Sequence, residues 1–267
     1  TDLAGWIHLV DGPSWDRLAI SRAVRLGRGA LGIDRGPDGQ LYVCVSQVDL
    51  RGWRSVGGAV LRVDPELTSW TPVTESYPAI NGLAFDGSGT AYFASSPFHP
   101  LRPQGGVYRM RVTDDGDVSV PELLLEGMGM TNGVRYSSAH GQIYFTETVV
   151  GAFAFSPHED GYRSVYRKSR LVEGFDDLAI DSEGRLWMAD PGRSTVKRFD
   201  PGTRQLTRFR IDGVGQVSAC GLRLEGGRAI LYLTEIHRSR NPLLGRHDGR
   251  GLVVLPVDGL EAAAGGS

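Results

Sequence analysis

The chain has 267 residues, a mass of 28.9 kDa, 40% hydrophobic residues and a formal charge of −2 with a pI near 6.3. It is long enough to bury a substantial core, and the near-neutral charge lacks the global basic field expected of a nucleic-acid binder. No apolar run reaches the roughly 18 residues that a membrane-spanning helix needs. Two cysteines, Cys44 and Cys220, form neither a disulfide framework nor a metal spacing, and both sit in apolar strand text where a buried thiol is expected. That favours a cytoplasmic setting, although a start at Thr1 without Met leaves room for a removed signal.

In chain order, GWIHLVDG (5–12) reads as a third strand and AVRLG (23–27) as a fourth, so residues 1–30 are expected to close a ring against the C-terminal unit. Five similar hairpins follow: LGIDRGPDGQLYVCVS from Leu31, NGLAFDGSGTAYFASS from Asn81, NGVRYSSAHGQIYFTET from Asn132, DDLAIDSEGRLWMADP from Asp176 and CGLRLEGGRAILYLTEI from Cys220. Each runs from a short apolar strand through Asp, Ser or Gly turn chemistry into a strand carrying an aromatic: Tyr42, Tyr92, Tyr144, Trp187 and Tyr232. Third strands come next at GAVLRVD (58–64), GVYRMRV (106–112), TVKRFDP (195–201) and GLVVLPVDG (251–259), with fourth strands such as ELLLEG (122–127) and TRFRID (207–212).

Four antiparallel strands in each unit of roughly 40–50 residues predict an all-β fold, a β-propeller forming a single domain over residues 1–267. The expected count is six blades with the N-terminal one incomplete; five blades is the alternative. In a propeller, first strands line the central channel, so the residues opening them converge at one mouth. Here those openings read Leu31, Asn81, Asn132, Asp176 and Cys220. The Asn and Asp oxygens suit Ca²⁺, Mg²⁺ or Mn²⁺, while the competing reading is that Asn132 and Asp176 cap the turns entering their strands.

The segments TNGVRYSSAHGQIYFTET, EGFDDLAIDSEGRLWMA and SACGLRLEGGRAILYLTEI, followed by RGLVVLPVDGL, resemble the last three blades of the gluconolactonase / senescence marker protein (regucalcin) family of six-bladed propellers. INGLAFDGSGTAYFASS, followed by GGVYRM, resembles the preceding blade, and the likeness spans roughly residues 31–260. The resemblance implies a lactone or small-ester hydrolase whose divalent metal, Ca²⁺ favoured over Mg²⁺, Mn²⁺ or Zn²⁺, is held by an Asn, an Asp and a Glu. Carried over, the Asn is Asn132, the Asp is Asp176, and Asn81 matches a substrate-binding Asn. Asp11, in DGPSW, stands where the family places its Glu; Ala79 stands in place of a family Arg, and Asp177 in place of a Gly. Asp176 or Asp177 is the expected proton relay. The alternatives are a biosynthetic cyclase or lyase on the same scaffold and a non-catalytic ligand-binding propeller.

Loops 47–57, 96–105 and 236–250 are expected to ring the same mouth. They carry Arg51, Arg54, Arg102, Arg238, Arg240, Arg246 and Arg250 against Asp49 and Asp248, a bias toward a small anionic substrate. Trp53 is the expected substrate wall, and Arg102, Arg238 and His237 are further substrate-contact candidates. Glu147, Asp190 and Glu235 each fall three residues after an aromatic, a recurrence that points to a turn-bonding role. Neither a membrane nor a nucleic acid is expected as a partner.

Overall fold

The computed structural model describes residues 6–11, 17, 19–26, 29–49, 54–74, 77–96, 104–148, 150–156, 161–167, 174–192, 195–211, 214, 216–236 and 252–260. The fold is an all-β propeller of antiparallel meanders. Blade I comprises β3 (Gly29–Arg35), β4 (Leu41–Asp49), β5 (Arg54–Val63) and β6 (Trp70–Pro72); blade II comprises β7 (Ile80–Phe85), β8 (Thr90–Ser95), β9 (Gly105–Arg111) and β10 (Glu122–Met128). Blade III is built from β11 (Thr131–Ser137), β12 (Gln142–Glu147), β13 (Gly151–Phe155) and β14 (Arg163–Arg167), and blade IV from β15 (Leu178–Ile180), β16 (Leu186–Asp190), β17 (Thr195–Phe199) and β18 (Leu206–Arg210).

Blade V has three described strands, β19 (Gln216–Glu225), β20 (Arg228–Ile236) and β21 (Leu252–Pro256), and ends in a short 3-10 turn at Val257–Gly259. The N-terminal strands β1 (Trp6–Asp11) and β2 (Ala19–Arg25) form a separate two-stranded ribbon. The described residues thus show the five-bladed alternative; a complete sixth blade is not among them. The ribbon packs on blade I, where Ile7 and Leu26 join a buried cluster with Ala30, Val43, Val45, Leu61 and Val63.

Each hairpin forms where apolar alternation meets a turn that ties itself to the following strand. Tyr42 donates its hydroxyl to Asp38 at 3.1 Å, Tyr92 to Asp86 at 3.2 Å and Tyr232 to Glu225 at 2.5 Å, and Trp187 Nε1 donates to Asp181 at 2.9 Å. In blade III His140 takes the acid's place, 2.8 Å from the Tyr144 hydroxyl. The recurring aromatic therefore fastens its polar tip to the turn behind it, and in blades I to IV packs its ring in the core. Burial and the neighbouring carboxylate push the Tyr42 phenol up to about 12, and Tyr92 and Tyr232 are raised for the same reasons.

Glycines let the first strands approach one another closely. A side chain at Gly32 would meet the Asn81 carbonyl oxygen at 2.5 Å, and one at Gly82 would meet the backbone of Asn132, Gly133 and Val134 at 2.3–2.7 Å. One at Gly133 would meet Asp177 Oδ1 at 2.6 Å. The Asn-Gly dipeptides thus join a polar opening to a residue that lets the next blade close against it.

Blade V corrects the sequence register. In blades II, III and IV the aromatics Tyr92, Tyr144 and Trp187 pair with Ala84, Arg135 and Ala179, each three residues past the opening residues Asn81, Asn132 and Asp176. Tyr232 pairs with Gly221, so the equivalent opening residue is Ser218, not Cys220. The cause is a longer ladder: four pairs, from Leu222–Leu231 to Glu225–Arg228, separate the Gly221–Tyr232 pair from the turn, against one in blades II and IV and two in blade III. The ladder closes in a two-residue turn whose glycines have φ of 56° and 82°. Counting back from the aromatic by the spacing of the shorter hairpins displaces the alignment by two residues. Cys220 instead occupies a buried core position, its thiol 3.0 Å from the Trp187 carbonyl oxygen and pushed well up by burial.

Candidate functional site

The opening residues lie side by side because each first strand is bonded to the next. Gly133 N donates to the Asp176 carbonyl at 3.1 Å, and Asp177 N donates to the Ser218 carbonyl at 3.3 Å. Thr146 reinforces the first link, accepting from Gly133 N at 2.9 Å and donating its hydroxyl to the Asp176 carbonyl at 2.6 Å. Neighbouring backbone contacts place Asn81 beside blade I and Asn132 beside blade II. Asn81, Asn132, Asp176 and Ser218 therefore follow one another around the channel mouth.

Asn132 is buried, at 8% exposure, and its Nδ2 donates to Thr148 Oγ1 at 3.2 Å. Its Oδ1 is also buried and has no hydrogen-bond partner. An acceptor left without a donor costs about 1–3 kcal/mol, so a built-in one marks a place where a ligand can supply the missing interaction. Asp176 is half-buried, and the loss of solvent around its carboxyl pushes it up to about 7; the charge of Asp177 adds to the rise, and the Asn132 side chain opposes it by hydrogen bonding. Asp177 is raised by burial in its turn, but Arg135 holds it: Nη2 donates to Asp177 Oδ2 at 2.8 Å, and Leu178 N donates to Oδ1 at 2.8 Å.

Arg135 is a residue of this cluster that the sequence reading passed over. Its guanidinium also donates to the Val134 carbonyl at 2.7 Å and to the Leu83 carbonyl at 3.4 Å, and its charge is felt by Cys44 of blade I and Cys220 of blade V. It therefore lies centrally among the first strands. The signal in NGVRY was an Arg at a first-strand position where blades II and IV carry Ala84 and Ala179.

The acids that follow the aromatics prove to be backbone clamps in blades III and IV. Met130 N donates to Glu147 Oε1 at 2.8 Å, and Gly174 N donates to Asp190 Oδ1 at 3.2 Å, in each case two residues before the opening residue. Asp190 is also ion-paired with Lys197 at 2.8 Å, both fully buried, with Lys197 Nζ 4.7 Å from the centroid of the Phe175 ring. Glu147 is 2% exposed and its Oε2 has no partner.

Asp11 sits at the exposed end of β1 and accepts a hydrogen bond from Ser21 Oγ at 2.7 Å. Among the described residues no three His, Cys, Asp or Glu side chains gather closely enough to hold a metal, so Asp11 does not join Asp176 and Asp177 in one cluster. Trp53, Arg102, His237 and Arg238 lie outside the described residues, as do Arg51, Arg240, Arg246, Asp248 and Arg250. Arg54 begins β5.

A buried, unpartnered amide oxygen on Asn132 and a half-buried carboxylate that resists ionisation on Asp176 are chemistry that the divalent metal implied by the resemblance would satisfy, supplying the positive charge that Asp176 lacks. Asn132 and Asp176 fit as two ligands from adjacent blades.

The fold is a β-propeller whose neighbouring first strands bring Asn132, Asp176 and Asp177 together. Residues 85–237 match the family described as SMP-30/Gluconolactonase/LRE-like region, and the chain belongs to that family. It is 25% identical over 222 residues to lactonase drp35 of Staphylococcus aureus (strain USA300), a match covering 73% of this chain; the chain spans 66% of that relative's length. Its fold is similar to that of a gluconolactonase from Xanthomonas campestris, with a TM-score of 0.67 and 19% identity over 98% of this chain and 81% of the other. It is also similar to that of a calcium-binding regucalcin from Agrobacterium tumefaciens, with a TM-score of 0.63 and 16% identity over 87% and 90% of the two chains.

Proposed function

We propose that this protein is a metal-dependent hydrolase that opens a lactone or a small ester at the mouth of the propeller channel. The observation that carries the reading is Asn132 Oδ1, buried and unpartnered, on a side chain that also hydrogen-bonds Asp176, whose carboxyl is raised to about 7. Asn132 and Asp176 would hold the cation, which when bound polarises the substrate carbonyl and acidifies water. Membership of a family with named lactonases supports the reaction class.

The chain's own groups divide the remaining work. Asp177 is locked to Arg135, which leaves Asp176 as the carboxylate with the freedom to take a proton from the attacking water and return it to the ring or alcohol oxygen as the acyl C–O bond breaks. Asn81, next in the ring of openings, is proposed to orient the substrate through its amide. Arg102, Arg238, His237 and Trp53 are proposed to meet the substrate from the rim, and the arginines to attract an anionic group on it.

Calorimetric titration of a divalent cation into metal-free protein, combined with hydrolysis of a panel of aldonolactones and short esters, tests this. One bound cation is expected, with activity reduced at least about 100-fold in Asp176→Ala and Asn132→Ala. Unchanged hydrolysis in Asp176→Ala overturns the proposal. A cyclase or lyase reading is favoured by the placement of Asp11 away from the acidic pair, and cation-independent turnover would support it.

A further inference from the structure

Thr148, directly after the clamp residue Glu147, stands between the strands that carry Asn132 and Asp176. Its backbone N donates to the Met130 carbonyl at 2.9 Å, two residues before Asn132, and its carbonyl accepts from Phe175 N at 3.4 Å, immediately before Asp176. Its Cγ2 lies 3.9 Å from the position a side chain at Gly174 would occupy. Three contacts from one residue thus tie it to both arms of the site. The fourth is chemical: Thr148 Oγ1 accepts from Asn132 Nδ2 at 3.2 Å.

An Asn side chain offers an oxygen on one branch and an NH₂ on the other, and only the oxygen can serve a cation. Thr148 Oγ1 and the Asp176 carboxylate both interact favourably with the Nδ2 end of Asn132, and Asp176 would be repelled by the oxygen. Held this way, Oδ1 is the branch left over, which is the buried oxygen found without a partner. Turned over, the amide would satisfy Oδ1 with the Thr148 hydroxyl and present a donor where an acceptor is needed.

We infer that Thr148 is a positioning residue: Asp176 selects the Nδ2 end of the Asn132 amide, and Thr148, accepting from the same Nδ2 while its backbone ties both arms together, anchors the amide in that orientation so that Oδ1 stays free for the ligand. The inference rests on the proposed cation-binding role of Asn132. Groups that orient a metal ligand from behind typically contribute 10–100-fold to affinity. Thr148 touches neither substrate nor cation and acts only through Asn132.

The test is calorimetric titration of Ca²⁺ and Mn²⁺ into the metal-free parent protein, Thr148→Val, Thr148→Ser and Asn132→Ala, with urea midpoints measured alongside. Val keeps the shape but removes the acceptor; Ser keeps the acceptor. Thr148→Val is expected to weaken cation binding about 10–100-fold, and Thr148→Ser to restore it to near the parent value. The cation concentration giving half-maximal hydrolysis should rise in Thr148→Val while the rate at saturating cation holds, a shift that a general loss of packing would not produce. Parent-like affinity in Thr148→Val, with binding lost in Asn132→Ala, overturns this inference alone. Absence of cation binding by the parent overturns the underlying reading and this inference with it.

Discussion

Replacing Gly82 with Ala tests whether the close approach of neighbouring first strands supports both the fold and the site. The new methyl would lie 2.3 Å from Val134 N, 2.4 Å from the Asn132 carbonyl oxygen and 2.7 Å from Gly133 C, about 1 Å short of ordinary contact. All three atoms belong to the backbone of β11, which is paired to β12 and bonded through Gly133 N to blade IV, so no side chain can swing aside. Overpacking a well-filled interface costs about 1–3 kcal/mol, and a clash with fixed backbone belongs at the upper end, near 3 kcal/mol. With a urea dependence of about 3 kcal/mol/M, the midpoint should fall by about 1 M. Gly87→Ala, in the turn of the same blade, is the control: nothing lies within 4 Å of its added methyl, and Gly87 is absent from the residues with positive φ. That variant should be neutral or slightly more stable. Because the clash falls on the backbone of Asn132 itself, Gly82→Ala should also weaken cation binding. Equal urea midpoints for the two variants would refute the close-approach argument.

The acidic pair gives the metal-free protein a pH dependence of definite sign. Asp176 rises from the usual 3.8 to about 7 on folding, so the folded state binds this proton more tightly than the unfolded chain; the stabilisation is fully present below about 3.8 and is lost as pH rises through about 7. Urea midpoints measured from pH 8 down to pH 5 should rise for the metal-free parent and respond less in Asp176→Asn, and parallel profiles would contradict the assignment. In blade IV, Lys197→Met leaves the buried Asp190 carboxylate without its cation and should cost about 3–5 kcal/mol by urea denaturation, part of it recovered by adding Asp190→Asn. No recovery in the double variant would mean that Lys197 contributes mainly through its packing on Phe175.

Five hairpins, their aromatic second strands and the propeller they build were legible in the amino-acid sequence because those signals are local. Apolar alternation, Asp and Gly turns and a recurring Tyr or Trp state a hairpin without reference to the rest of the chain. The repeat also carried the meeting of Asn132 and Asp176, since equivalent positions in a closed ring must be neighbours. Structure was needed wherever pairing, and not composition, chose the answer. The longer ladder of the last hairpin moved the opening position of blade V from Cys220 to Ser218, a shift visible only in the pairing of Tyr232 with Gly221. Asp177, a candidate proton relay from the sequence, is ion-paired with Arg135 from the blade before, a partner that the local pattern does not name. The contacts of Arg135 with Asp177 and of Thr148 with Phe175 cross from one blade to the next, set by how each sheet stacks on its neighbour, and such contacts leave no mark on the local pattern of residues from which a hairpin is read.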